Sequence, residues 1–263
     1  MDIGLKDKVI MVGAASRGLG FGIARACAAD GAKLSIASPN QENIEAAASR
    51  LREETGAEVL ASVFNASDAE SIERWTQSTM NQFGCVDGLL VNAGGPPTGK
   101  FDSFDDDSWQ AAYELTLLGS IRMIRSVLPS MRERGGGSIV TLTSSSIKEP
   151  IDVLLLSNVM RAGVVALAKS LSRELAADGI RVNNLVPGRM DTDRVRSIDA
   201  GVAQKSGKDV ETVRQQSQSA IPLGRYGGAD EFGKAGAFLL SDAASYITGS
   251  TLTVDGGAMK TVW

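Results

Sequence analysis

Short apolar runs alternate with amphipathic stretches along the whole chain. Val9–Val12, Lys33–Ala37, Glu58–Phe64, Gly88–Val91, Ser138–Thr143, Arg181–Val186 and Thr251–Val254 read as strands. Continuously apolar strands are the pattern of a sheet covered on both faces. Between them Leu19–Asp30, Glu42–Thr55, Ala69–Phe83, Ser108–Arg134, Val153–Asp178 and Asp230–Leu240 read as helices. Asn40 and Asp68 stand where side chains cap the helices that follow. Regular strand–helix alternation predicts an α/β fold: a single-domain, doubly wound (Rossmann) parallel sheet of about seven strands with helices on both faces. No linker-like composition and no internal repeat divides the chain, so one domain is expected over residues 1–263. Residues 189–225 form a long polar insertion between the sixth strand and the last helix, with one or two short helices expected in it. At the carboxyl end of a strand such a segment suits a substrate lid; a solvated peripheral excursion is the other reading.

Composition narrows the chemistry. Of 263 residues, 27 are Lys or Arg and 31 are Asp or Glu, a net charge of −4. That balance offers no electrostatic footprint for nucleic acid or an anionic membrane. Histidine is absent, which excludes Ser-His-Asp and Cys-His nucleophiles and any His-ligated metal. Two cysteines, Cys27 and Cys85, are too few for a disulfide framework or a thiolate cluster. Both are expected as small buried hydrophobes, and no metal site is expected. The opening MDIGLKDKV lacks an apolar stretch of signal length, and no run reaches the length of a membrane span. A soluble, cytoplasmic protein is the expectation.

Glycine numbers 29 and clusters at strand ends. The first strand runs into VGAASRGLG, residues 12–20, and a helix follows. Gly18, Leu19 and Gly20 suit a dinucleotide-binding turn: the backbone passes close to a diphosphate, and helix-start amides face the anion. Some 20 residues on, where an acidic side chain would meet a ribose 2′-hydroxyl, stands Ser38. With no carboxylate there, and with Ser16 and Arg17 in the loop, a 2′-phosphate is accommodated. The cofactor expected is therefore NADP, with NAD the lesser alternative. A solvated surface charge is the lesser reading of Arg17.

With these features the chain resembles the short-chain dehydrogenase/reductase family, and the likeness runs nearly end to end. It is carried by ASRGLG, by VNAGG at 91–95, by VNNLVPGRMDT at 182–192 and by the tail from IPLGRYGG to VDGG. The branch it most resembles is that of 3-oxoacyl-(acyl-carrier-protein) reductases. The resemblance implies that Asn65 stands near the adenine and that Asn92, Ala93 and Gly94 line its ribose. It implies that Pro187, Gly188 and Thr192 meet the nicotinamide end, and that the protein is a homotetramer acting on a small-molecule carbonyl or alcohol.

Departures from the family pattern fall on the chemistry. In the glycine loop, Gly13 takes the usual Thr position and Ala14 that of the first Gly. The family uses a Ser, a Tyr thirteen residues later, a Lys four beyond that, and an Asn on the preceding helix. Here the Ser is kept as Ser144, but the other positions hold Ser157, Arg161 and Thr116. Carbonyl reduction needs a hydride on carbon and a proton on oxygen; the cofactor carries the first and the protein arranges the second. Ser157 is too short and too weak an acid to replace a phenol directly, so a water relay is one route. Arg161 keeps a fixed charge that can hold the nicotinamide ribose or steady an oxyanion. Tyr113, Lys148, Glu149 and Asp152 are alternative acids. The bland readings are a packing serine at 157, a structural ion pair at Arg161 and a turn hydroxyl at Ser144. Three functions follow: an NADP-dependent oxidoreductase with a modified proton path, a catalytically degenerate NADP-binding pseudoenzyme, or a non-redox reaction in the same pocket. In the insertion, Arg194, Arg196, Lys205, Lys208 and Arg214 suit an anionic substrate group or a solvated face.

Overall fold

The computed structural model describes residues 2–262. Seven strands form one parallel sheet: β1 (Val9–Gly13), β2 (Lys33–Ser38), β3 (Val59–Val63), β4 (Gly88–Val91), β5 (Gly137–Leu142), β6 (Ile180–Pro187) and β7 (Thr251–Val254). Their order is β3-β2-β1-β4-β5-β6-β7. The chain therefore reverses its winding direction between β1 and β4, where Ile10 pairs with Gly88 and Val12 with Leu90. In open parallel sheets ligands bind beyond the carboxyl edge at this switch point.

Strand side chains alternate between two cores. Ile10, Val12, Leu34, Ile36, Leu90 and Val140 join one, with α1 (Gly18–Ala29), α2 (Gln41–Thr55) and α9 (Ala229–Leu240). Met11, Ala37, Leu89, Val91 and Ile139 join the other, with α3 (Ala69–Phe83), α5 (Gly119–Glu133) and α6 (Leu155–Glu174). Because both faces are covered, both sets of alternating positions are apolar. The expected caps form: Asn43 N–H donates to Asn40 Oδ1 at 2.8 Å and Glu70 N–H to Asp68 Oδ1 at 3.0 Å.

Two details differ from expectation. The single helix expected over Ser108–Arg134 is α4 (Asp106–Ala112), a π-helical turn at Tyr113–Leu118, and then α5. A π turn is an extra residue in the helical ladder, invisible to a 3.6-residue periodicity. Cys85 is half-buried in the connection from α3 to β4, because Gly84 ends α3 in a left-handed conformation. The insertion forms two helices, α7 (Asp193–Ser206) and α8 (Val210–Ser219). Among the described residues no helix is long and apolar enough to cross a membrane.

Candidate active site at the carboxyl edge

The turn after β1 keeps its shape despite the alanine in it. Ala14 adopts φ +48°, in the left-handed region that glycine favours, and Gly18 adopts φ +61°. Gly13 lies against β4: Asn92 Nδ2 donates to Gly13 O at 3.1 Å, and a side chain at 13 would strike the Asn92 carbonyl. Arg17 precedes α1, whose side-chain cap is missing. The first α1 amides are thus left for an outside acceptor. Ser16 is half-buried, Leu19 packs on the core, and Gly20 is buried. At the end of β2, Ser38 is buried and its hydroxyl reaches only Asn40 O, at 3.4 Å. Arg17 is exposed and forms a long ion pair, 3.9 Å, with Asp193 of α7. Such a pair holds little energy and yields readily to a phosphate.

Asn65 is exposed, and its side chain accepts from Ser67 N–H at 3.1 Å. Beyond Asn92, Ala93 is half-buried and Gly94 exposed. Pro187 ends β6, Gly188 N–H donates to Val254 O at 2.9 Å, and Thr192 caps α7. The Thr192 methyl carbon comes to 3.8 Å of where a Gly18 side chain would begin, so α7 starts directly opposite the glycine loop. These elements surround one trough, and no carboxylate stands in it at position 38 to repel a 2′-phosphate. The residues present fit a phosphorylated dinucleotide.

The residues expected at the reactive end lie just after β5, on α6 and in the π turn. Ser144 caps a short turn at Ser145–Ile147 by accepting from Ser146 N–H at 3.2 Å, which leaves its own O–H to donate. Ser157 is 5% exposed. Its Oγ accepts from Arg161 Nε at 3.1 Å, and Arg161 Nη1 donates to Leu142 O at 2.8 Å. Two of the five guanidinium donors are spent and three remain. Burial pushes the Arg161 pKa down to about 10, and the charge of Arg194 adds to the effect. The group is still a cation at neutral pH. Thr116 sits in the π turn, which packs against α6. Its Oγ1 is buried and has no hydrogen-bond partner among the described residues.

Tyr113 packs beside Leu156 and Met160, and Glu149 accepts from Lys260 N–H at 2.7 Å. Burial pushes the Cys27 thiol up to about 12, which removes it as a nucleophile. A hollow of about 460 Å³ opens at the amino edge of the sheet, where Arg134–Asp87 and Lys8–Asp242 pairs neutralise its walls.

Two arrangements escaped the sequence. Arg189 and Tyr226 both bond Asp199, which is 1% exposed, and this buried knot ties α7 to the approach to α9. Arg194 reaches the loop after β4, its Nη2 2.8 Å from where a Gly95 side chain would begin. A basic residue in the first turn of a helix, just after carboxylates at 191 and 193, was its sequence signal.

Residues 13–259 match the family model described as enoyl-(acyl carrier protein) reductase. The rabbit (Oryctolagus cuniculus) dehydrogenase/reductase SDR family member 4 is 35% identical over 97% of this chain and 94% of its own length. The chain belongs to the short-chain dehydrogenase/reductase family. Among solved members of that family, the L-sorbose reductase of Gluconobacter frateurii, complexed with NADPH and L-sorbose, superposes with a TM-score of 0.95 at 30% identity over 100% of both chains. An NADPH-bound short chain oxidoreductase of Pseudomonas aeruginosa PAO1, containing an atypical catalytic center, superposes with a TM-score of 0.87 at 29% identity over 98% of this chain and 100% of its own.

Proposed function

We propose that this family member is an NADP-dependent oxidoreductase that interconverts a small-molecule carbonyl and its alcohol through a proton path lacking the usual phenol. The observation that carries the reading is the double contact of Arg161, to Ser157 Oγ at 3.1 Å and Leu142 O at 2.8 Å, which fixes a cation at the carboxyl end of β5. NADPH binding by the solved relatives supports the choice of coenzyme.

The amides of Gly18, Leu19 and Gly20 receive the diphosphate, next to Gly13. Arg17, Ser16 and Ser38 receive the 2′-phosphate. Asn65, Asn92, Ala93 and Gly94 meet the adenosine half; Pro187, Gly188, Thr192 and Arg161 meet the nicotinamide half. Bound NADPH supplies the hydride that forms the new C–H bond. Ser144 Oγ–H donates to the carbonyl oxygen, and the remaining Arg161 donors face that oxygen as it gains charge. A water held by Ser157 Oγ–H and Thr116 Oγ1 gives up the proton; solvent restores it, so one carbonyl becomes one alcohol. The segment at 189–225 covers the site as a lid, and the active species is a homotetramer.

Fluorescence titration with NADPH and NADH, followed by NADPH-absorbance assays on 3-oxoacyl thioesters, diketones, quinones and sugars, tests the reading. NADPH binding with turnover supports it. Tight binding with no oxidation across the panel favours the pseudoenzyme, a role to which the short, already bonded Ser157 would be suited. Absence of binding removes both.

A further inference from the structure

We infer that Arg194 is a specificity-determining residue that holds a carboxylate on the substrate, so that the carbonyl compound reduced here is an oxo acid. This rests on the functional reading above. Of the seven cations at 189–225, the fold commits five, with Arg189 held by Asp199 and Arg225 by Glu231. Arg196 donates to Asp191 at 3.0 Å and to Asp193 at 3.1 Å; Arg214 donates to Asp191 at 2.9 Å; Lys208 donates to Gln216 at 3.0 Å. Lys205 lies in the last turn of α7, far along the helix from the trough. Arg194 instead crosses to the loop after β4 and fills the space left by Gly95, with its guanidinium atoms at 2.8, 2.9 and 3.1 Å from that position. A residue other than glycine at 95 would exclude it.

Among the described residues nothing neutralises this cation: neither Arg194 nor Arg161 has a carboxylate within salt-bridge distance, and Arg194 makes no hydrogen bond. The neighbouring carboxylates Asp191 and Asp193 are engaged by Arg196, Arg214 and Arg17. The position is also costly for a cation, since the amino end of a helix carries partial positive charge. The like charge of Arg194 also bears on the buried Arg161 and, after burial, helps to depress that group's pKa. A carboxylate between them relieves that repulsion. A planar guanidinium suits a carboxylate with two parallel hydrogen bonds. The coenzyme phosphates are already assigned to the α1 amides and to Arg17, Ser16 and Ser38, which leaves Arg194, reaching from α7 to Gly95, for the substrate.

The test uses dead-end complexes, which need no turnover. The full chain, saturated with NADP⁺, is titrated by calorimetry with acetoacetate, 2-oxobutyrate and 2-oxoglutarate, each beside its ethyl ester. At least one acid is expected to bind tighter than its ester. Arg194→Ala should weaken that acid by roughly tenfold to hundredfold and leave the ester and NADP⁺ unchanged. Arg194→Lys should recover part of the loss. Equal binding of acids by Arg194→Ala and the parent, or no acid preference in the parent, overturns the inference. So does a loss of NADP⁺ affinity in Arg194→Ala, which would make the residue a coenzyme contact. Failure of the parent to bind NADP⁺ at all is a separate outcome and removes the functional reading itself.

Discussion

Arg161 Nε donates to Ser157 Oγ at 3.1 Å across one turn of α6, and the same guanidinium holds the carbonyl of Leu142 at the end of β5. The cation is thereby braced to a helix and a strand at once. Arg161→Ala should lower kcat on the order of a hundredfold, the scale of losing one preorganised oxyanion donor. Ser144→Ala should also slow turnover, by roughly tenfold or more, because only its O–H remains free to donate. Steady-state NADPH oxidation, with coenzyme affinity as the control, reads both. Unchanged kcat in either variant removes that residue from the mechanism.

The pH profile distinguishes this centre from one run by a neutral acid. Burial and, less strongly, the charge of Arg194 bring the Arg161 pKa down to about 10 in the folded protein, below its ordinary value. Its charge is therefore complete through neutral pH, and activity should stay flat there and fall only as pH rises toward about 10. The folded state binds this proton less tightly than the unfolded chain. Arg161 thus works against stability at neutral pH, and that penalty lifts as pH rises above about 10 toward the ordinary arginine value. A kcat profile with a clear inflection near neutrality contradicts the assignment.

Coenzyme choice should turn on Ser38 and Arg17. Ser38→Asp places a carboxylate where a 2′-phosphate would lie and should weaken NADPH on the order of tenfold or more, with NADH little changed. Arg17→Ala should weaken NADPH alone, since its only charged partner in the fold is Asp193 at 3.9 Å. Fluorescence titration with both coenzymes separates the cases; a parallel loss for NADH contradicts both.

Ala14 is held at φ +48°. Left-handed backbone costs an alanine about 1–2 kcal/mol, part of which a glycine returns as unfolded-state entropy. Ala14→Gly should stabilise the protein by up to about 1 kcal/mol, or about 2–4 °C in a chain of this size. A melting curve with and without NADPH measures it, and a lowered Tm would show that the methyl group packs usefully.

Arg225 donates to both carboxylate oxygens of Glu231, at 2.8 and 2.7 Å, while Gly228 N–H donates to the same group at 2.7 Å. The Arg225 bonds first, then the Gly228 amide, pull the Glu231 pKa from 4.5 down to about 2. The group is depressed, so its contribution is present above pH 4.5 and is lost as pH falls toward about 2. Arg225→Ala should flatten that part of the acid limb in equilibrium denaturation. An unaltered limb would show that the exposed pair contributes nothing measurable.

By itself the sequence determined the strand–helix alternation, the seven strands and the two helix caps at Asn40 and Asp68. These depend on near neighbours along the chain, on side-chain period and on the local hydrogen bonds of a capping residue. It also placed Gly18, Ser38, Asn92 and Ser144 at strand ends, where a parallel sheet collects its ligands. Tertiary structure alone decided what the charges do. Arg194 and Arg214 share one polar segment and look alike in sequence, yet one reaches across to Gly95 and the other closes on Asp191. Asp199 has the composition of a surface acid but is buried by Arg189 and Tyr226. Coulombic pairing and burial depend on distances between segments far apart in the chain, and no periodicity encodes those distances. The π turn that orphans Thr116 is set likewise by its packing on α6 rather than by any residue within it.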